Sequence, residues 1–147
     1  MSHSYSQILV HGVFSTKERE NLIPQNMQHR LWAHMSATAQ NDGVRTISIG
    51  GVENHAHVLF ALPATLALAT VMRKLKANTS RWMNENGIRF GWQTGYGAFS
   101  VSSSQVNTVI NYIQRQPEHH KRRNFEQEFI ALLKKYGVDY DPRYVFG

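Results

Sequence analysis

His55-Ala56-His57 leads into a short apolar run, Val58-Leu59-Phe60-Ala61-Leu62. Successive side chains of a β-strand point to opposite faces, so residues 55 and 57 point the same way. Two neutral imidazoles placed like that can grip one divalent cation. Farther along, Tyr112 and Gln116 stand four residues apart in a stretch of helical periodicity, one turn from each other on one flank. Together these residues suit phosphodiester chemistry. A cation stabilises charge on the phosphate, and the tyrosine hydroxyl attacks phosphorus to leave a phosphotyrosine. A phenol with a pKa near ~10 needs that help. The amide oxygen of Gln116 can add to the metal's ligand set, because two histidines alone do not complete a site.

Composition narrows the chemistry. The 147 residues contain no cysteine, which excludes disulfides, thiolate zinc sites and cysteine nucleophiles. The metal ligands left are histidine, carboxylate, amide and water, a set that suits Mg or Mn as well as Zn. Sixteen Lys and Arg against ten Asp and Glu give a net charge of +6, which favours a polyanionic partner such as nucleic acid. Arg73, Lys74, Lys76 and Arg81 crowd one helical stretch, and Lys121-Arg122-Arg123 follow the tyrosine. Both clusters can neutralise phosphates, although a solvated basic face is an equally good reading of any single member. Trp82, Trp92, Tyr96 and Phe99 can stack on unpaired bases, with packing the commoner fate of such rings. Glu118-His119-His120 reads as a solvated loop rather than a second metal site, since three neighbours do not share one face.

These residues need a frame. Tyr5 to Phe14 reads as a strand, followed by a polar loop to Asn21 and a helix opened by Pro24 and running to about Gln40. Val44–Val52 and His55–Leu62 read as a hairpin. A second helix spans Thr65–Glu85, an irregular stretch follows, and Ala98–Val101 is a short fourth strand. The tyrosine helix runs from Gln105 to Gln116, capped by Ser102–Ser104 and ended by Pro117. Its buried stripe is Val106, Val109, Ile110 and Ile113, and Tyr112 lies roughly 110° from the stripe's centre at 3.6 residues per turn. A last helix covers Asn124–Tyr136, and the tail is extended. The order βαββαβαα, without repeats or linkers, predicts one α+β domain with a ferredoxin-like antiparallel sheet, helices on one face and a C-terminal tyrosine-bearing helix. The chain's start lacks a basic segment followed by a long apolar one, and no stretch approaches the ~20 apolar residues of a membrane span, so a cytosolic protein without membrane contact is expected.

At His55-Ala56-His57 and Tyr112-Ile113-Gln114-Arg115-Gln116 the sequence resembles the single-tyrosine transposases of the insertion sequence 200-like family, within the HUH (His-hydrophobic-His) endonuclease class. The resemblance extends over Gly50-Gly51-Val52-Glu53-Asn54, the Lys74 to Trp82 helix, Gly95 to Val101, His119-His120 and Phe125-x-x-Glu128-Phe129. It implies an RRM-like fold, Tyr112 as nucleophile, and His55, His57 and Gln116 as ligands of Mg or Mn. It also implies a homodimer whose tyrosine helix serves the partner's histidine pair, and single-stranded DNA with hairpins at the element ends as substrate. The strand would be cut to a 5′-phosphotyrosine and a free 3′-hydroxyl, then rejoined without a nucleotide cofactor. Two rival readings remain: a domesticated relative that nicks palindromes, and a non-catalytic nucleic-acid-binding module on the same fold.

Overall fold

In the computed structural model, which describes residues 4–146, the first strand, β1 (Leu9–Ser15), is buried along its whole length. A strand buried on both faces must be central and covered on both sides. β1 pairs antiparallel with β3 (His55–Ala61) on one side and β4 (Gly97–Val101) on the other, and β2 (Arg45–Val52) pairs antiparallel with β3. The sheet order β2-β3-β1-β4 is the ferredoxin-like arrangement that the element order predicts.

Alternation along the strands sorts the core into layers. Val10, Phe14, Ala56, Val58 and Phe60 face one way, toward Leu31 and Met35 of α1 (Gln28–Asn41) and Met72, Leu75 and Met83 of α2 (Leu68–Glu85). Leu9, Leu59 and Val101 face the other way, against Val109 and Ile113 of α3 (Val106–Gln114). Beside them Val13 and Phe99 meet Phe125, Phe129, Leu132 and Leu133 of α5 (Phe125–Lys135). The C-terminal helices therefore roof the second face of the sheet. His55 and His57 share that face with Leu59, so they are enclosed between layers. Among the described residues no helix is long and apolar enough to cross a membrane.

Some boundaries differ from expectation for identifiable reasons. The first strand begins at Leu9, and Tyr5 is exposed. Pro24 precedes a short 3₁₀ turn, Gln25–Met27, before α1. The tail is irregular rather than extended, with turns over residues 142–146 and with Val145 and Phe146 packed on the α5 cluster. The main correction concerns the tyrosine helix. α3 stops at Gln114, Arg115 leaves helical geometry (φ −94°, ψ 12°), and Gln116–His119 form a separate turn, α4, with Pro117 inside its first turn. Proline cannot continue α3, because it has no N–H and its ring clashes with the carbonyl four residues back, but it suits a helix start. Pro117 thus begins a new turn in a new direction.

Two glycines set the distances between these layers. A Cβ on Gly50 would lie 2.9 Å from the backbone oxygen of Ile113, so β2 and α3 meet this closely only without a side chain. A Cβ on Gly51 would lie 2.2 Å from the backbone oxygen of His55 across the hairpin. Gly51→Ala forces that hairpin apart beside His55. It is expected to cost about 2 kcal/mol or more, read as a lowered thermal midpoint, and a midpoint equal to that of the unmodified protein refutes the packing argument.

Candidate metal centre beside Tyr112

His55 and His57 are both fully buried. The Nδ1 atom of each meets a neutral partner at 2.8 Å: Asn54 Oδ1 for His55 and His11 Nε2 for His57. With Nδ1 engaged, both Nε2 atoms converge on one carboxylate oxygen. Glu128 Oε1 lies 3.3 Å from His55 Nε2 and 3.2 Å from His57 Nε2. His120 Nε2 approaches the same oxygen at 3.2 Å. Glu128 comes from the first turn of α5, where helix geometry favours a negative charge. A capping box fixes that turn: Asn124 Oδ1 accepts from the Gln127 amide at 2.9 Å, and Gln127 Oε1 accepts from the Asn124 amide at 2.9 Å.

The second carboxylate oxygen gathers the rest. Gln116 Nε2 donates to Glu128 Oε2 at 2.9 Å, while Gln116 Oε1 faces His55 Nε2 at 2.9 Å. The Tyr112 hydroxyl donates to Glu128 Oε2. Its ring meets the edge of His57, with centroids 5.6 Å apart, and His119 lies over it at 5.1 Å. The four residues expected to form the site, His55, His57, Tyr112 and Gln116, are thus brought together within one chain. Tyr112 is half-buried, as its place at the edge of the helix's apolar stripe predicts, whereas Gln116 is fully buried because α4 turns it inward.

Proton counting shows that a cation fits here. Burial pushes the His55 imidazole down to about 4, against the opposing pull of its Glu128 hydrogen bond. His55 is therefore neutral near pH 7 and carries one proton. Its Nδ1 faces an oxygen, and its Nε2 faces two more, Gln116 Oε1 and Glu128 Oε1. One proton cannot serve both sides, whereas a divalent cation at the Nε2 side satisfies every lone pair. The donor atoms of His55, His57 and Glu128 all lie within 4.8 Å of one another. Ligands about 2.1 Å from a common ion stand roughly 3.0–3.4 Å apart, and the 3.2 and 3.3 Å contacts to Glu128 match that spacing.

Burial raises the Glu128 carboxyl, but the field of His57 and hydrogen bonds from His120, His55 and His57 outweigh it and hold the group well below the usual carboxylate range. Glu128 is thus ionised. Tyr112 moves the other way: burial first, then the Glu128 charge and hydrogen bond, push its hydroxyl above the ordinary phenol range, against an opposing pull from Gln116 and then Arg123. The phenol stays protonated and donating until something offsets the carboxylate.

The other expected residues divide. Arg73, Lys74, Lys76 and Arg81 ride on α2, on the opposite side of the sheet from the histidine pair. There Lys76 Nζ donates to the Gly95 carbonyl at 2.8 Å, Arg81 donates to Asn78 Oδ1 at 2.8 Å, and Lys74 is 4.0 Å from Asp42. Lys121, Arg122 and Arg123 follow α4 on the site's own side. The two clusters do not form one surface. Trp92 donates to Thr79 Oγ1 and packs on Phe14 and Phe90, Trp82 stacks on His34, and Phe99 is buried, so these rings serve packing. The solvated-loop reading of His119-His120 is overturned: both are half-buried, one over Tyr112 and the other on Glu128. Adjacent residues do not share a face, but His120 sits one helical turn from Gln116 and so shares its side.

Sequence reasoning missed Glu128 and His11 as members of the site. Glu128 had a signal. It occupies the apolar stripe Phe125, Phe129, Leu132, and a carboxylate inside such a stripe needs buried partners. His11 had none, because its contact with His57 depends on the β1–β3 register.

The family model described as "Transposase IS200 like" matches residues 4–116, a span that includes the histidine pair, Tyr112 and Gln116 and ends before Glu128. No curated protein matches the chain. Among solved structures, a candidate transposase from Deinococcus radiodurans R1 superposes with a TM-score of 0.63 at 16% identity, covering 79% of this chain and 95% of that one. A REP-associated tyrosine transposase bound to a REP hairpin superposes with a TM-score of 0.61 at 14% identity, covering 82% of this chain and 73% of that one. At such identities the likeness is one of fold.

Glu128→Ala leaves three imidazoles, an amide and a phenol facing empty space. Removing one partner of a buried charged network costs about 3–5 kcal/mol, expected as a fall in denaturation midpoint measured in chelator. Mn²⁺ at a hundred times its Kd is expected to stabilise the unmodified protein by about 2.7 kcal/mol and the variant by much less. Equal metal-induced shifts in the two proteins count against Glu128 as a ligand.

Proposed function

Since the chain belongs to the IS200-like transposase family, we propose that it is a metal-dependent transposase that cuts single-stranded DNA through Tyr112 and holds the product as a 5′-phosphotyrosine. The observation that carries this reading is the shared carboxylate: Glu128 meets the Tyr112 hydroxyl with one oxygen and the histidine pair with the other. Mg or Mn bound by His55, His57 and Glu128, with Gln116 as a further donor, supplies charge stabilisation on the phosphate oxygens.

The remaining steps belong to the chain. Tyr112 Oη attacks phosphorus, and its proton passes to Glu128 Oε2, to which it already donates. The bond from phosphorus to the 3′-oxygen breaks, and the proton given up by Tyr112 passes on from Glu128 to that oxygen, which becomes the free 3′-hydroxyl. Attack by a 3′-hydroxyl on the phosphotyrosine reverses the step with the bond energy conserved. His55, His57, Gln116 and Glu128 are fully buried, whereas Tyr112 keeps part of its surface in solvent. Lys121, Arg122 and Arg123, which follow α4, are the cations this reading assigns to the DNA backbone near the site. Arg73, Lys74, Lys76 and Arg81 offer a separate surface on the far side of the sheet. A hairpin-bound neighbour of the same fold supports a DNA hairpin as the recognised form.

The meeting of Tyr112 with the histidine pair inside one chain supports a site that works in cis. The homodimer with exchanged tyrosine helices that the family resemblance implies is the alternative. Mixing His55→Ala chains with Tyr112→Phe chains separates the two: a cis site leaves the mixture inactive, and recovered activity establishes a shared one.

Incubation with hairpin-bearing single-stranded DNA and Mg²⁺ or Mn²⁺ is expected to give a covalent protein–DNA adduct on denaturing gels. Tyr112→Phe is expected to give none. His57→Ala is expected to slow adduct formation by about 100-fold or more, the scale of losing one group that stabilises transition-state charge. An unmodified protein that binds hairpin DNA but forms no adduct, or a Tyr112→Phe variant that forms as much, defeats this reading in favour of a non-catalytic binding module.

A further inference from the structure

His11 lies on β1, 2% exposed, on the same sheet face as His57. Its Nε2 is 2.8 Å from His57 Nδ1. The ring planes are 30° apart and the centroids 5.1 Å apart, which is the 2.8 Å contact plus two ring radii, so the rings meet edge to edge through their nitrogens. The His11 ring is enclosed against Phe99 and Tyr112, a setting that favours the uncharged imidazole. A carboxylate at this place would add a second buried negative charge beside Glu128, and a neutral imidazole avoids that cost.

We propose that His11 is a positioning residue of the metal centre: its Nε2 lone pair accepts the His57 Nδ1 proton, which leaves His57 Nε2 bare and aims it at the point shared with His55 and Glu128. This rests on the metal reading above. Asn54 Oδ1 does the same for His55 at 2.8 Å, so each imidazole of the pair has its own neutral acceptor. An imidazole also does what a backbone carbonyl cannot. A neutral His57 that donates through Nε2 to Glu128 Oε1, 3.2 Å away, offers Nδ1 as an acceptor instead. His11 can hold its one proton on either nitrogen, so it serves as donor in the empty site and acceptor in the loaded one.

Two readouts test this. By calorimetry, His11→Phe, which keeps a flat aromatic ring and removes the acceptor, is expected to weaken Mn²⁺ binding roughly ten- to hundred-fold. His11→Gln, which can present either an oxygen or an N–H, is expected to stay within a few-fold of the unmodified protein. Nitrogen-15 spectra of the unmodified protein are expected to show the His57 proton on Nε2 in chelator and on Nδ1 with Mg²⁺, a readout that needs no variant to fold. Equal Mn²⁺ affinity in His11→Phe and unmodified protein, a Gln variant no better than the Phe variant, or a His57 proton that stays on Nε2 with Mg²⁺ bound would overturn the proposal. An unmodified protein that takes up neither ion overturns the metal reading together with it, whereas binding that ignores residue 11 overturns this inference alone.

Discussion

Glu128 sits fully buried with imidazoles, an amide and a phenol around its two oxygens, and an ionised carboxylate survives in such a place only when each lone pair is met. Its partners come from β3, α3, α4 and the turn after α4, so the requirement acts across the whole second face of the sheet. The apolar side chains of α5 supply the docking energy, since Phe125, Phe129, Leu132 and Leu133 are all buried against the sheet. The carboxylate supplies the register. Apolar packing tolerates a small slide along the sheet, but a shift of α5 by one residue would strand Glu128 away from every partner.

The backbone features that look incidental answer to the same requirement. Gly50 lets α3 come close enough to β2 for Tyr112 to reach over the sheet to the histidines. Gly51 closes the hairpin tightly behind His55. Pro117 stops α3 and restarts the chain as α4, which swings Gln116 inward and brings His120 behind it. A straight helix through residue 116 would have kept Gln116 on the flank with Tyr112. Ala56, between His55 and His57, is fully buried on the opposite face with Val58 and Phe60 in the α1–α2 core. Its size is set by packing there.

What could be read from the sequence follows from how local each signal is. Strand alternation and helical periodicity are local, and they placed the four strands, the layer of α1 and α2, and the common direction of His55 and His57. Tyr112 and Gln116 were legible as a pair because they sit one turn apart. The break at Arg115 was not, since Pro117 alone does not say whether it ends one helix or starts the next. His11 and Glu128 lie 46 and 71 residues from His57, and only strand register and the docking of α5 bring them together. Glu128 still left a trace, a charge within an apolar stripe, while His120 was hidden by a rule that compared neighbours when the relevant spacing was four.

Charge balance ties these parts to the chemistry. His11, His55, Asn54 and Gln116 enter as neutral groups, and Glu128 contributes one negative charge. Burial first, and then the Glu128 charge, hold the proton on Tyr112. A divalent ion bound here would offset that carboxylate and present positive charge to a phosphodiester, which carries one negative charge. A second buried carboxylate in place of His11 or Asn54 would weaken that offset. Neutral partners behind both histidines thus leave Glu128 as the one carboxylate among these residues, in contact with the tyrosine and the histidine pair at once.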